Sequence, residues 1–280
     1  MKCRKCAHAQ DWKDMIKDIT IGQYYQAESI IHRLDPRVKL MGTLVFIISL
    51  FLGMNIWIYA FVTVALAAVI AISKIPLKFM VRGLKSIVIL IIISAVFNLF
   101  LTPGETLIQI WKLTITYEGL KTAIFMVVRL VYLILGTSLM TLTTTPNNLT
   151  DGLEKGLGFL KYIKVPVHEI AMMMSIALRF IPILVEETDK IMKAQMARGA
   201  DFENGNIIKR AKAMVPILVP LFVSAFRRAN ELAMAMEARC YHGSEGRTKM
   251  KPLKYAKRDK IAYLCMFAYL GVLILIKIFA

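Results

Sequence analysis

Ile56-Trp57-Ile58-Tyr59-Ala60-Phe61-Val62-Thr63-Val64-Ala65-Leu66-Ala67-Ala68-Val69-Ile70-Ala71-Ile72-Ser73 decides the fold class of this chain. It holds eighteen residues without a formal charge. As a helix it would reach about 27 Å, close to the ~30 Å hydrocarbon core of a bilayer. A helix apolar on every face has to be a membrane span or the centre of a large core. Four further apolar runs surround it: Val38–Met54, Ile87–Leu101, Leu120–Leu142 and Ile261–Phe279. Only Asn55 and its neighbours separate the first two runs, so these are expected to form a hairpin of spans. The chain is 280 residues long, 57% hydrophobic, with a mean hydropathy of +0.58. These values together predict an all-α polytopic membrane protein with about five transmembrane helices.

The net charge of +17 does not sit as a nucleic-acid footprint would require, because the cations lie between apolar runs and no groove-reading motif accompanies them. They instead alternate by side. The amino-terminal segment carries Lys17, Arg33, Arg37 and Lys39, the last at the very start of the first run, and Lys74, Lys78, Arg82 and Lys85 follow the second. The loop Thr102–Gly119 has only Lys112, against Glu105 and Glu118, whereas Pro146–Asp259 is basic again. Cytoplasmic loops retain Lys and Arg, so the amino terminus and the long basic stretch are expected inside and the carboxyl terminus outside. The expected layout is a cytoplasmic segment 1–37, four transmembrane helices in 38–145, a cytoplasmic helical domain 146–258, and a last transmembrane helix in 259–280.

Two segments within the basic stretch test that layout. Val167–Val185 and Met214–Phe226 are apolar enough to be candidate spans. If both crossed, residues 186–213 would face outside with Lys190, Lys193, Arg198, Lys209, Arg210 and Lys212, the wrong side for so many cations. Met214–Phe226 is also short and carries Pro216 and Pro220. Both are therefore expected to be long helices at or just under the membrane. Thr150-Asp151-Gly152 reads as the start of a short helix at Leu153, which Lys164-Val165-Pro166 ends. The next helix runs from Val167 to Ala197, interrupted near Pro182. After a loop at Glu203-Asn204-Gly205-Asn206, another runs from Ile207 to Arg239. A helix of about thirty residues spans ~45 Å, so these would be levers longer than the bilayer core is thick.

Each lever ends alike. Ala194-Gln195-Met196-Ala197-Arg198-Gly199 closes the first, and Ala235-Met236-Glu237-Ala238-Arg239-Cys240 closes the second, forty-one positions on. A cation in the last turn suits the helix dipole, and Gly199 suits a left-handed stop. Repeated lone arginines at helix tips predict two equivalent docking points for a paired partner. Ala225, Ala229 and Ala233 form a stripe that either lets the two levers cross closely or simply favours helix. Eight of the seventeen methionines fall between residues 166 and 240, which suits either a surface that re-packs against partners or core filling.

Several chemistries find no residues here. The sequence lacks a Walker-type phosphate loop and a G-x-S-x-G elbow. His168-Glu169 lacks the second His of a zinc protease, and Glu186-Glu187 reads as a solvated face rather than an intramembrane hydrolase. Cys3-x-x-Cys6 with His8 is half a zinc motif, and Cys240 and Cys265 add no disulfide framework, so no metal or other cofactor is expected on this chain. Translation is expected to start at Met15, leaving residues 1–14 outside the native chain. Within the spans, Asn98 is expected to bond between helices, and Arg129 to snorkel outward or pair with Glu118 or Glu105. A stand-alone channel or secondary transporter would show interrupted helices and midplane polar groups in two related halves, and these are not seen.

Ser29-Ile30-Ile31-His32-Arg33-Leu34-Asp35-Pro36-Arg37-Val38-Lys39-Leu40 resembles the start of the first span in the transmembrane (T) component of energy-coupling factor transporters, the EcfT/CbiQ-like family. Thr143-Thr144-Thr145-Pro146 through Asp151-Gly152-Leu153-Glu154 resembles the family's passage out of its fourth span. Ala177-Leu178-Arg179-Phe180-Ile181-Pro182, with Glu186-Glu187 and Ala194–Gly199, resembles its first signature, and Ala235–Gly243 resembles its second. The resemblance implies a non-catalytic coupling subunit in a prokaryotic plasma membrane. Its implied partners are two ABC-type ATPases, which use the ATP, and a small membrane S component that captures a vitamin or metal ion. It further implies that Ala197, Arg198, Gly199, Ala238, Arg239 and Cys240 form the ATPase-docking sites. Cys240 departs from the family's usual glycine, and a left-handed turn there costs Cys more than Gly.

Overall fold

The computed structural model describes residues 24–85, 87–103, 106–110, 113–200, 207–243 and 253–279. The Cys3/Cys6/His8 group, Met15 and the Glu203–Asn206 loop lie outside the described residues. The chain divides into two compact units, one running to residue 152 and resuming at 253, the other comprising 153–252.

The first unit contains α1 (Pro36–Leu50), α2 (Ile56–Ser73), α3 (Leu77–Lys85), α4 (Val88–Leu101), a hairpin of β1 (Thr106–Ile110) and β2 (Leu113–Thr116), α5 (Tyr117–Thr143) and α9 (Lys257–Phe279). Among the described residues, α2, α5, α9 and Val167–Ala197 are long and apolar enough to cross a membrane. A fifth span counts if Phe79–Lys85 and Val88–Leu101, bent by 57°, act as one. The chain is thus an all-α polytopic membrane protein, with one short hairpin added.

Several local expectations need correction. The first apolar run yields only fifteen helical residues, because the chain breaks after Leu50 and Asn55 restarts it by accepting from the Trp57 amide at 3.3 Å. The basic segment after α2 is a helix, α3, rather than a loop. The acid-bearing connection after α4 forms the β hairpin, with Thr106 opposite Thr116 and Ile110 opposite Leu113. The helix expected from Leu153 begins at Pro146 instead. Proline at the first helical position loses no needed N–H, and Thr145 Oγ1 accepts from the Asn148 amide at 3.4 Å.

The core of this unit gathers Leu50, Ile58, Tyr59, Val62 and Leu273, all buried, with Phe46, Phe125, Val128 and Tyr269 against them. The buried Ser49 meets Tyr269 Oη through its Oγ at 2.8 Å, and the exposed Thr63 meets Tyr132 Oη through its Oγ1 at 2.6 Å. Arg129 lies in the middle of α5 and is 8% exposed. Its Nε donates to Tyr59 Oη at 3.0 Å and its guanidinium lies 5.0 Å from the centre of the Phe51 ring. It therefore neither snorkels nor takes the expected pairing. An acceptor and an aromatic face met from α2 and the α1–α2 turn hold the charge inside. Asn98 bonds along its own helix to Ser94 O at 2.8 Å, not between helices.

The two ends of the described bundle are joined at one corner. Asp35 caps α1, its Oδ1 accepting from the Arg37 amide at 3.0 Å. Asp259, in the first turn of α9, accepts from the Asp35 amide at 2.9 Å and from the Ala256 amide at 2.7 Å. Arg37 donates to Leu253 O at 3.2 Å and lies over the Tyr255 ring. Beside this corner, burial pushes the His32 imidazole below its usual range, so it is neutral at pH 7. Its Nε2–H then donates to Tyr25 O at 3.1 Å, and Nδ1 accepts from Ser29 Oγ at 2.7 Å.

The second unit consists of the last residues of α6 (Pro146–Gly156), a 3₁₀ turn Gly158–Ile163, α7 (Val167–Ala197) and α8 (Ile207–Glu237). Each lever is continuous through its prolines: Pro182 lies inside α7, and Pro216 and Pro220 lie inside α8.

Candidate functional site

The levers α7 and α8 run antiparallel. Gln195 Nε2 donates to Pro216 O at 3.3 Å, while eight residues earlier Glu187 receives Ser224 Oγ at 2.7 Å and Arg228 Nη2 at 2.7 Å. Glu187, expected on a solvated face, thus fastens the crossing; Glu186 beside it is exposed. Among the described side chains of α8, Ile217, Leu221, Ser224, Ala225, Arg228, Leu232 and Met236 are packed, whereas Ala229 and Ala233 are exposed. The alanine stripe therefore does not make the close crossing, and a larger, partly polar face does. Met173, Met174 and Met234 are 57%, 42% and 63% exposed, which excludes core filling within this chain for those three.

Both levers end in the same backbone device. At the first end, the Gly199 amide bonds Met196 O at 3.0 Å and the Ala200 amide bonds Gln195 O at 3.0 Å. At the second, the Cys240 amide bonds Glu237 O at 2.9 Å and the Tyr241 amide bonds Met236 O at 3.1 Å. Each pair closes the orphan carbonyls of its last turn in the Schellman pattern, which requires a left-handed residue just past the cap. Gly199 has φ +91° and Cys240 has φ +54°. The arginine occupies the cap position each time, so a sharp reversal leaves it at the extreme tip.

Ala197, Arg198, Gly199, Ala238, Arg239 and Cys240 are all exposed. Neither guanidinium has an intrachain partner among the described residues. Arg198 lies eleven residues beyond Glu187 and Arg239 eleven beyond Arg228, about 16 Å of helix in each case. Because the helices are antiparallel, the tips point in opposite directions from a shared fastening. Two partners could then be held symmetrically, one at each end. Sequence periodicity could not have revealed this, since it rests on the register between two helices.

The backbone at Cys240 yields a prediction. A left-handed L-residue costs about 1–2 kcal/mol, a cost that glycine avoids. Cys240→Gly should slow hydrogen exchange of the Tyr241 amide roughly fivefold or more. Unchanged or faster exchange would show that the cap bears no strain.

No group of three or more His, Cys, Asp or Glu among the described residues could hold a metal ion. His168 Nδ1 instead meets Glu154 Oε1 at 2.9 Å. What remains is a polytopic membrane protein whose distinctive surface is a pair of exposed arginine tips.

A family model described as cobalt transport protein, CbiQ, matches residues 27–250. The energy-coupling factor transporter transmembrane protein EcfT of Clostridium kluyveri is 57% identical over 267 residues, covering 94% of this chain and 98% of that protein. The EcfT of Thermosediminibacter oceani is 55% identical over 249 residues, covering 89% and 94% respectively. That of Bacillus subtilis is 49% identical over 246 residues, covering 88% and 93%. The chain belongs to the CbiQ family, among the transmembrane components of energy-coupling factor transporters.

Proposed function

We infer that this chain is the non-catalytic coupling subunit of an importer, carrying movements of two ABC-type ATPases to a small S component that captures a vitamin or metal ion. The matching arginine tips at opposite ends of one fastened helix pair are the observation that favours this reading. Each guanidinium suits a carboxylate or a set of helix-end carbonyls in an ATPase groove, where its planar fork makes charge-assisted bonds. Glu187–Arg228 and Ser224 keep the two levers moving together, so displacement at either tip is felt at the crossing. The exposed Met173, Met174 and Met234 offer an adaptable face for the S component. ATP is bound and used by the partners.

The reading places the amino terminus and residues 153–252 in the cytoplasm of a prokaryotic plasma membrane. The helix Val167–Ala197 has the length and composition of a span, but crossing would leave Lys190, Lys193 and Arg198 on the side that cations avoid. A single cysteine replacing Lys193 should react with impermeant maleimide in inverted vesicles and remain unlabelled in intact cells. Labelling in intact cells would mean that α7 and α8 span. Co-purification tests the function itself: the tagged chain should bring down two ATPase subunits and one small membrane protein. Purified chain that moves substrate across a vesicle membrane without them would establish a stand-alone carrier instead.

A further inference from the structure

Where α1 and α9 begin and α2 ends, a cavity of about 450 Å³ opens at the surface. Three cations line it from three elements: Arg33 in the turn before α1, Lys74 in the left-handed cap of α2, and Arg258 in the first turn of α9. Glu28, the acid on its rim, pairs with Arg33 at 3.0 Å. Lys74 and Arg258 have no ion-pair partner among the described residues. The cavity therefore keeps two uncompensated positive charges.

Ser29, Ala71, Ile30 and Ile72 complete its wall, which is apolar apart from Ser29. Ile30 is 62% exposed and Ile72 is 48% exposed, and Ile72 lies in the last turn of α2, a helix of membrane-spanning length. A cationic mouth and an apolar side thus meet at the level where a span leaves the hydrocarbon core. We propose that this cavity binds the headgroup of an anionic phospholipid, its phosphate between Lys74 and Arg258 and an acyl chain along Ile72. A basic pocket between transmembrane helix ends suits such headgroups. A soluble phosphate would gain nothing from Ile30 and Ile72. A zwitterionic headgroup would leave the excess positive charge unmatched.

The test is native mass spectrometry of the purified full chain in detergent with equal amounts of phosphatidylglycerol and phosphatidylcholine. The wild type should retain phosphatidylglycerol preferentially. Lys74→Gln/Arg258→Gln should lower that preference roughly twentyfold, about fivefold for each cation. Lys254→Gln/Lys257→Gln removes the same charge from exposed side chains nearby that do not line the cavity, and should leave the preference unchanged. No loss in the first pair overturns the site. Equal loss in both pairs overturns it too, assigning the preference to diffuse surface charge. Excess free glycerol phosphate should not displace the lipid; displacement would assign the cavity to a soluble phosphate and sink the lipid reading. Unfolding temperature reports the fold of each variant. Should the first pair fail to fold, Arg258→Gln alone decides, with about a fivefold loss expected.

Discussion

The Arg198→Ala/Arg239→Ala double variant should insert and fold normally, yet release its ATPases and abolish uptake. Folding is spared because both side chains are exposed and neither guanidinium has a hydrogen-bond or ion-pair partner among the described residues. The caps are also spared, since the Schellman bonds run between backbone groups and tolerate Ala at the cap. Binding is a different matter. Truncating one member of a buried, hydrogen-bonded charge contact costs roughly 2–5 kcal/mol, partly because the partner's acceptor is left unpaired. One such loss weakens the complex, and helix surface around the tip retains part of it. Losing both, about 16 Å to either side of the Glu187–Arg228 fastening, removes the hold at each end. Lysine should rescue poorly, because an ammonium cannot reproduce the guanidinium fork. Pull-down of the ATPases and uptake in vesicles, with insertion checked, are the readouts. Wild-type assembly and uptake in the double variant would reduce both arginines to helix terminators.

Asp259→Ala should destabilise the membrane unit by about 2–4 kcal/mol. Asp259 is 3% exposed and each carboxylate oxygen accepts a backbone N–H. Alanine would leave the Asp35 amide buried and unpaired at the start of α1. It would also uncap the start of α9. The loss would spread, because Arg37 bridges from the same corner to Leu253 O and Tyr255. Asp259→Asn keeps one acceptor oxygen and should lose roughly half as much. Thermal unfolding in detergent, followed by size exclusion, measures both. If the alanine variant melts like the wild type, the corner is incidental to stability.

Apolar runs announced the polytopic class because span length depends only on hydropathy and helical rise. The two helix ends were equally legible, since Ala-Arg followed by Gly or Cys is a local signal and the cap bonds are local. Boundaries were less so. Thr150-Asp151-Gly152 offered an acceptable start, but Thr145-Pro146 competes better through its fixed φ and its capping hydroxyl. The fifteen-residue length of α1 and the 57° bend before α4 could not be read from hydropathy, which does not distinguish a straight span from a broken one.

The sequence alone determined the membrane class, the family's ordered motifs and the two arginine tips, because each rests on short-range composition or spacing. Tertiary structure decided the rest. It put Glu187 against Ser224 and Arg228, set α7 and α8 antiparallel so that the tips diverge, held Arg129 inside on Tyr59 and Phe51, and brought Asp35 to Asp259 across 224 positions. These contacts depend on register between separate elements, which the packing of whole faces selects and no local pattern encodes.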